Sequence, residues 1–170
     1  MTIPIRPLTV TINGRQHGPM DVPEGLMMID VLHEMLGLTG SRLGCGIGIC
    51  HACVVIWDRD DQTSEEVRTC ITGAGFFDGK RIRTIEGTAQ TDERGEIVAL
   101  SPVQQAFLDQ FSFQCGYCTP GFVNAATVLV ERLSARRCRA ERCKRRWPQR
   151  WRRTSAAVPD TCATTKRYAT

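Results

Sequence analysis

The sequence predicts an α+β protein in which a small β-sheet crossed by one helix precedes a helical segment. Three observations predict this class. Short apolar runs bounded by turn residues fill most of residues 1–86, one amphipathic stretch interrupts them, and residues 101–133 contain two apolar stretches that each begin with Ser-Pro or Thr-Pro. At 170 residues, the chain is long enough for one domain or two small ones.

The first expected elements are a hairpin and a helix. Residues 8–13 alternate and end in Asn13-Gly14, a strong hairpin signal, so a partner strand is expected over residues 16–22. The stretch LMMIDVLHEMLGL predicts a helix that stops at Gly37. The expected apolar face of this helix is Leu26, Ile29, Leu32, Met35 and Leu36.

Further strands are expected in CVVIW, EEVRTCIT and KRIRTIEG, followed by a polar connector, TAQTDERGEIVA. Ser101 is a good N-cap and Pro102 a good first residue for the next helix. Its expected apolar face is Val103, Phe107, Leu108 and Phe111. A last helix is expected in TPGFVNAATVLVERL, with QCGYC at the joint between the two helices.

Charge is divided unevenly along the chain. Residues 1–133 carry ten basic and sixteen acidic side chains, whereas residues 134–170 carry twelve basic and two acidic ones. No stretch reaches the roughly 18 apolar residues of a membrane helix, and the start, MTIPIRPLTVTING, lacks the apolar segment of a signal peptide. We therefore expect a cytoplasmic protein without membrane insertion, whose nine cysteines are metal ligands or reactive thiols.

Three cysteines crowd into the motif GCGIGICHAC. Cys45, Cys50 and Cys53 have the spacing C-x4-C-x2-C, and Cys70 follows after sixteen further residues, which is typical of plant-type ferredoxins. A zinc site is the alternative, although zinc ligands usually come as two closely spaced pairs. His51 lies in the same loop. With four cysteines present, we expect His51 beside the site rather than as a ligand.

The glycines of this loop, Gly44, Gly46 and Gly48, give the backbone freedom to wrap a cluster, and their amides are able to donate to its sulfurs. A second cysteine motif, Cys115 and Cys118 in QCGYCTPG, is ambiguous. A lone C-x-x-C is half of a metal site or a redox pair, and the βαβ pattern that accompanies thioredoxin-like pairs is not visible.

Together these motifs resemble the iron–sulfur subunit of the molybdenum hydroxylases, the xanthine dehydrogenase/aldehyde oxidoreductase family. The resemblance covers about residues 5–133 and rests on GCGIGICHAC, RTCIT, IRTIEG and SPVQQAFLDQFSFQCGYCTPG. It implies a β-grasp, plant-type ferredoxin-like domain over residues 1–86. It also implies an all-α helical-bundle domain, here incomplete, of which residues 87–133 are the N-terminal part.

The same resemblance implies a [2Fe–2S] cluster in each domain. Cys45, Cys50, Cys53 and Cys70 would ligate the first, and Cys115 and Cys118 would supply part of the ligand set of the second. Gln114 matches a family residue close to the molybdopterin of a large partner subunit. That subunit would oxidise an aldehyde or an N-heterocycle, and this chain would pass the electrons to FAD or a cytochrome in another subunit.

The chain itself shows no catalytic set, which agrees with a role in electron transfer alone. The alternative function is that of a free-standing ferredoxin, a soluble electron shuttle. Such a shuttle would need only residues 1–86, so the helical half argues against it.

The chain departs from the family pattern after about Ser134. The family supplies the remaining ligands of the second cluster in a CRCTGY-like motif, but this chain has no C-x-C, and its end shows no apolar period. Reading the codons of residues 154–161 one nucleotide earlier allows Asn-Leu-Cys-Arg-Cys-Thr-Gly-Tyr. The hypothesis is a frameshift that leaves residues 134–170 as an aberrant basic tail, out of frame or disordered. Sequencing the source DNA between codons 130 and 145 tests it.

Two other interpretations of the tail stay open. Its arginines, with Trp147 and Trp151, would suit a nucleic-acid-binding arm. Alternatively, Cys138 and Cys143 would act as replacement cluster ligands. We expect no nucleic-acid partner, because the net negative charge of residues 1–133 would repel phosphate.

Overall fold

The computed structural model describes the backbone of residues 3–94 and 96–146, and side chains as far as Arg137. The chain divides into two units, Met1–Leu133 and Ser134–Thr170, and the contacts below are those of the first unit. A five-stranded mixed sheet with helices confirms the predicted α+β class.

The sheet contains β1 (Ile5–Ile12), β2 (Arg15–Pro23), β3 (Val54–Asp58), β4 (Ser64–Arg68) and β5 (Arg81–Arg83). Its strand order is β2-β1-β5-β3-β4, with β1 and β5 parallel and the other neighbours antiparallel. The predicted hairpin between β1 and β2 is confirmed. Its turn has positive φ angles at both central residues, 52° at Asn13 and 80° at Gly14, which matches the twist of the flanking strands.

One short helix crosses the sheet, as predicted. It consists of α1 (Met28–Asp30) and a π-helical turn (Val31–Met35). The predicted apolar face is partly wrong, because the wider π turn rotates the side chains that follow it. Met35 is exposed, and the fully buried side chains are Met28, Ile29, Val31 and Leu32. Met28, Val31 and Leu32 pack with Leu8, Val10 and Ile12 of β1 and with Val55, Ile82 and Phe77. Ile29 packs instead against Cys53 and Cys70.

The expected polar connector after Gly87 is wrong in part. It contains a small antiparallel hairpin of β6 (Gln90–Thr91) and β7 (Ile97–Ala99). These strands have only two and three residues, and all of their side chains are exposed, so they produce no periodic apolar pattern. The strand expected in KRIRTIEG before the connector is also shorter than predicted, because only Arg81–Arg83 is extended and a 3-10 turn (Ile85–Gly87) follows.

Two helices follow, α2 (Pro102–Asp109) and α3 (Thr119–Arg146), with the QCGYC segment between them as predicted. Ser101 caps α2 in a capping box with Gln104. The expected face of α2 is partly wrong. Leu108 is exposed, and Phe111, which is also exposed, lies beyond the end of the helix at Asp109. The backbone of α3 remains helical past Leu133, where the sequence showed no helical pattern. None of the described helices is both long and apolar enough to cross a bilayer.

Helix α3 packs on the sheet along its first three turns. Val123, Thr127 and Val128 are buried, and the Asn124 amide donates to the Val54 carbonyl at 2.8 Å. Further along, Glu131 pairs with Arg83 of β5 at 3.0 Å, and Arg83 also pairs with Asp58 of β3 at 2.7 Å.

This ion-pair network shifts two pKa values. Burial alone would raise the pKa of Glu131, but hydrogen bonds from Arg83 and Ser64 and the Arg83 charge outweigh it and lower the pKa. Burial opposes the charged form of Arg83 too, yet Asp58 and Glu131 raise its pKa further above its usual range.

We expect Glu131→Gln to lower the free energy of unfolding at neutral pH by about 1 kcal/mol or less, because the pair is partly solvated. A carboxyl whose pKa is lower in the folded chain stabilises the fold above its unfolded pKa, and this stabilisation is lost as pH falls through the folded pKa. The difference in the free energy of unfolding between the parent protein and Glu131→Gln should therefore have its full size above about pH 5 and vanish at more acidic pH. Denaturant unfolding at several pH values measures it, with Glu93→Gln, an exposed carboxyl, as control. An equal gap at all pH values would contradict the prediction.

Candidate iron–sulfur site

The four predicted ligands of the first cluster lie around one loop between α1 and β3. The loop is closed at its base by the Arg42 amide, which donates to the Ala52 carbonyl at 3.0 Å. Gly46, Gly48 and His51 adopt positive φ angles of 66°, 75° and 60°, so the backbone curls back on itself. His51 therefore has a backbone role here, and its carbonyl accepts from the Val54 amide.

Cys45 and Cys50 form one pair at the outer side of the loop. The amides of Ile49 and Cys50 both donate to Cys45 Sγ at 3.4 Å. The amides of Cys50 and Ile47, then the Cys50 thiol and the Ile49 amide, lower the pKa of Cys45 to about 6. The loop therefore favours a thiolate at Cys45, which is the form that binds metal.

Cys53 and Cys70 form a second pair, buried together against Ile29. Cys70 lies two residues beyond the end of β4, not within a strand as expected. Thr69 fixes it there, because both its amide and its hydroxyl donate to the Cys53 carbonyl. Burial, then the Cys53 thiol, raises the pKa of Cys70 to about 11, and the charges of Cys53 and Cys45 add to the effect; the Gly48 amide opposes it.

This donor set fits a [2Fe–2S] cluster. Within the described side chains, no three His, Cys, Asp or Glu residues have the arrangement that holds a single metal ion. A [2Fe–2S] cluster makes a different demand, since each of its two irons takes two thiolates. The cysteines lie as two such pairs, and iron would supply the positive charge that the crowded thiolates need.

At two of the predicted glycines an added Cβ would lie close to a neighbouring side chain. A Cβ on Gly44 would lie 3.0 Å from Cys50 Sγ, and one on Gly48 would lie 2.5 Å from Cδ1 of Ile71. Gly46 differs, because nothing lies within 4 Å of its Cβ position and only its positive φ favours glycine. The loop thus favours glycine for close packing at Gly44 and for backbone conformation at Gly46 and Gly48, since the exposed Ile71 side chain beside Gly48 can move.

The second motif lies in the segment between α2 and α3. Cys115, Cys118 and Gln114 are all exposed, and Gly116 between the cysteines has a φ of 77°. Among the residues that the structure describes, no third cysteine joins Cys115 and Cys118 in a group that could hold a metal ion. The side chains of Cys138 and Cys143, together with Trp147, Trp151 and residues 154–161 of the tail hypotheses, lie outside the described part of the chain.

Sequence reasoning missed the contacts that join α3 to the cysteine loop. A Cβ on Gly121 would lie 2.1 Å from the His51 carbonyl oxygen, so the first turn of α3 touches the loop backbone directly. The Tyr117 hydroxyl donates to the Leu43 carbonyl at 2.9 Å. An isolated glycine inside a helical pattern was the available signal, because glycine weakens a helix and its presence there indicates a packing reason.

Two family models match the chain. Residues 10–74 match a "2Fe-2S iron-sulfur cluster binding domain", and residues 84–150 match a "[2Fe-2S] binding domain". The second match begins close to the expected domain boundary at residue 87, and it extends past residue 133 into the basic region.

Relatives with known roles match at moderate identity. The nicotine 6-hydroxylase small subunit of Paenarthrobacter nicotinovorans is 39% identical over 125 residues, which cover 73% of this chain and 67% of the relative. The aldehyde oxidoreductase iron-sulfur-binding subunit PaoA of Escherichia coli K12 is 33% identical, over 76% of this chain but only 51% of PaoA. The chain therefore spans about half the length of PaoA.

A solved structure also matches. Quinoline 2-oxidoreductase from Pseudomonas putida 86 superposes with a TM-score of 0.63 and 30% identity, over 74% of this chain and 70% of that one. The mixed sheet, the four-cysteine loop and both family models define a [2Fe–2S]-binding electron-transfer protein. Within that class, the chain belongs to the iron–sulfur subunits of the molybdenum hydroxylases. A free-standing ferredoxin is not favoured, because the second family model matches the helical half.

Proposed function

We propose that this chain passes electrons from a large molybdopterin-binding subunit, which oxidises an aldehyde or an N-heterocycle, to FAD or a cytochrome in another subunit. The observation that carries the proposal is the arrangement of four cysteines as two pairs around one loop. The relatives support the substrate class, since those described above are named for nicotine, quinoline and aldehydes.

Cys45, Cys50, Cys53 and Cys70 would hold the first [2Fe–2S] cluster, which supplies one-electron transfer when bound. The chain's own residues would tune it. Amide donation to Cys45 stabilises negative charge at the outer pair, whereas burial at Cys70 disfavours it. The outer pair, being partly exposed, is the side from which a redox partner would approach.

Cys115 and Cys118 would be half of the ligands of a second cluster, and exposed Gln114 beside them would face the molybdopterin of the partner. The domains we propose are a β-grasp domain over residues 1–86, the N-terminal part of a helical bundle over residues 87–133, and an aberrant tail over residues 134–170. The incomplete bundle is supported by the exposed apolar side chains on the two helices, including Phe122, Leu129 and Leu133.

Iron and acid-labile sulfide per chain, with an EPR spectrum of the reduced protein, test the proposal. About two irons and one signal would mean that only the four-cysteine loop binds a cluster. About four irons and two signals would mean that the second ligand set is complete. A protein reconstituted with iron and sulfide that retains neither would overturn the proposal.

A further inference from the structure

Tyr117 joins the two cysteine motifs. It lies between Cys115 and Cys118 in the sequence, yet its hydroxyl donates at 2.9 Å to the carbonyl of Leu43, two residues before Cys45. This hydrogen bond therefore joins a side chain of the second cysteine motif to the backbone next to the first cysteine motif.

The ring of Tyr117 adds a second contact at the same place. The Cβ position of Gly44 lies 4.0 Å from Cε1 of Tyr117 and 3.0 Å from Cys50 Sγ, so a single glycine separates the ring from a thiol of the first set. The Arg42 guanidinium lies 5.8 Å from the ring centroid, which favours the ring in this position.

Most side chains in the rest of the cysteine segment are exposed. Cys115 and Cys118 are exposed, as are Phe111 and Phe113 before them. Gly116 has a φ of 77°, a conformation that glycine adopts without the steric cost that a Cβ would impose. The close approach of Gly121 to the His51 carbonyl holds the end of the segment that leads into α3 beside the four-cysteine loop. Within the segment itself, between the two cysteines, the attachment to that loop is the Tyr117 side chain.

We propose that Tyr117 is a positioning residue that fixes the distance between the two cysteine sets. The proposal rests on the function proposed above, in which these sets hold redox groups. A single electron passing between the two sets would cross by tunnelling, which weakens steeply with distance and is stronger through bonds than across a gap. The path from Cys118 through Tyr117, its hydrogen bond and Leu43 to Cys45 is such a bonded route.

Tyr117→Phe in the full chain removes the hydrogen bond and keeps the ring. Tyr168→Phe makes the same chemical change at the chain's other tyrosine, which lies outside the described residues, and is the matched control. In the metal-free protein, amide hydrogen exchange should accelerate about two- to tenfold in peptides covering residues 40–46 and 111–119, the effect expected from one net hydrogen bond. Acceleration spread over the β1–β2 hairpin as well, or none at all, would overturn the proposal.

The second measurement reports the distance itself. A bifunctional nitroxide is attached across Cys115 and Cys118, with Cys138, Cys143 and Cys162 replaced by serine in every variant. Pulsed EPR then measures its distance to the reduced cluster of the four-cysteine loop. The distribution should be narrow in the parent and in Tyr168→Phe, and clearly broader in Tyr117→Phe.

An unchanged distribution in Tyr117→Phe would overturn the positioning role even if overall stability fell. A protein that binds no iron would instead contradict the proposed function. In that case the hydrogen-exchange comparison, which uses the metal-free protein, still tests the positioning role of Tyr117. A failure of the proposed function is therefore distinguishable from a failure of this inference.

Discussion

Cys53→Ser is expected to remove the first cluster completely. Iron should fall by about two atoms per chain, and the EPR signal of that cluster should disappear. Cys53 is buried beside Cys70 and Ile29, so serine would replace a soft thiolate by a hydroxyl that binds iron poorly and leaves Cys70 without its pair. Iron analysis and EPR of the reduced protein measure the loss.

Cys115→Ser is the comparison for this result. It changes an exposed cysteine of the second motif, so the iron and the EPR signal of the first cluster should remain. If Cys53→Ser retained the signal, or if both variants lost the same iron, the assignment of the four-cysteine loop would be wrong.

Gly121→Ala is expected to destabilise the protein although alanine is the better helix former. In an exposed helix this change would stabilise by about 1 kcal/mol. Here the new Cβ would lie 2.1 Å from the His51 carbonyl oxygen and 2.9 Å from backbone atoms of Ala52, so backbone has to move. Overpacking of this kind costs about 1–3 kcal/mol, and the melting temperature should fall by several degrees, at about 2–4 °C per kcal/mol.

Gly75→Ala is the matched control, because nothing lies within 4 Å of its Cβ position and its φ is not positive. Thermal unfolding should separate the two variants clearly. A melting temperature unchanged or raised in Gly121→Ala would show that α3 does not contact the loop as described.

The order of strands and helices followed from local signals, because hairpin turns, caps and alternation are set by neighbouring residues. Asn13-Gly14 and the Ser101 capping box are examples. The errors arose where long-range packing determines whether a side chain is buried or whether a strand forms. The exposure of Met35 depends on a π turn packed against the sheet, and the β6–β7 hairpin has no buried residue to mark it.

For the site, the spacing of Cys45, Cys50 and Cys53 was enough to predict that they share one loop, and their role as cluster ligands stays a prediction. The spacing did not predict the division into two pairs, since Cys70 meets Cys53 through the fold of β4. Nor did it predict Tyr117, whose partner Leu43 lies 74 residues away. Contacts at such separations leave no periodic trace in the sequence.

The parallel pairing of β1 with β5 has a consequence for biosynthesis. Residues 11 and 12 pair with residues 81 and 82, so the central strands of the sheet meet only after more than eighty residues have left the ribosome. The two hairpins on either side form from near neighbours and are available earlier. Pairing between residues so distant in the sequence slows folding. Iron delivered to a nascent chain would therefore meet the cysteines before β1 and β5 have paired and completed the sheet that supports the loop.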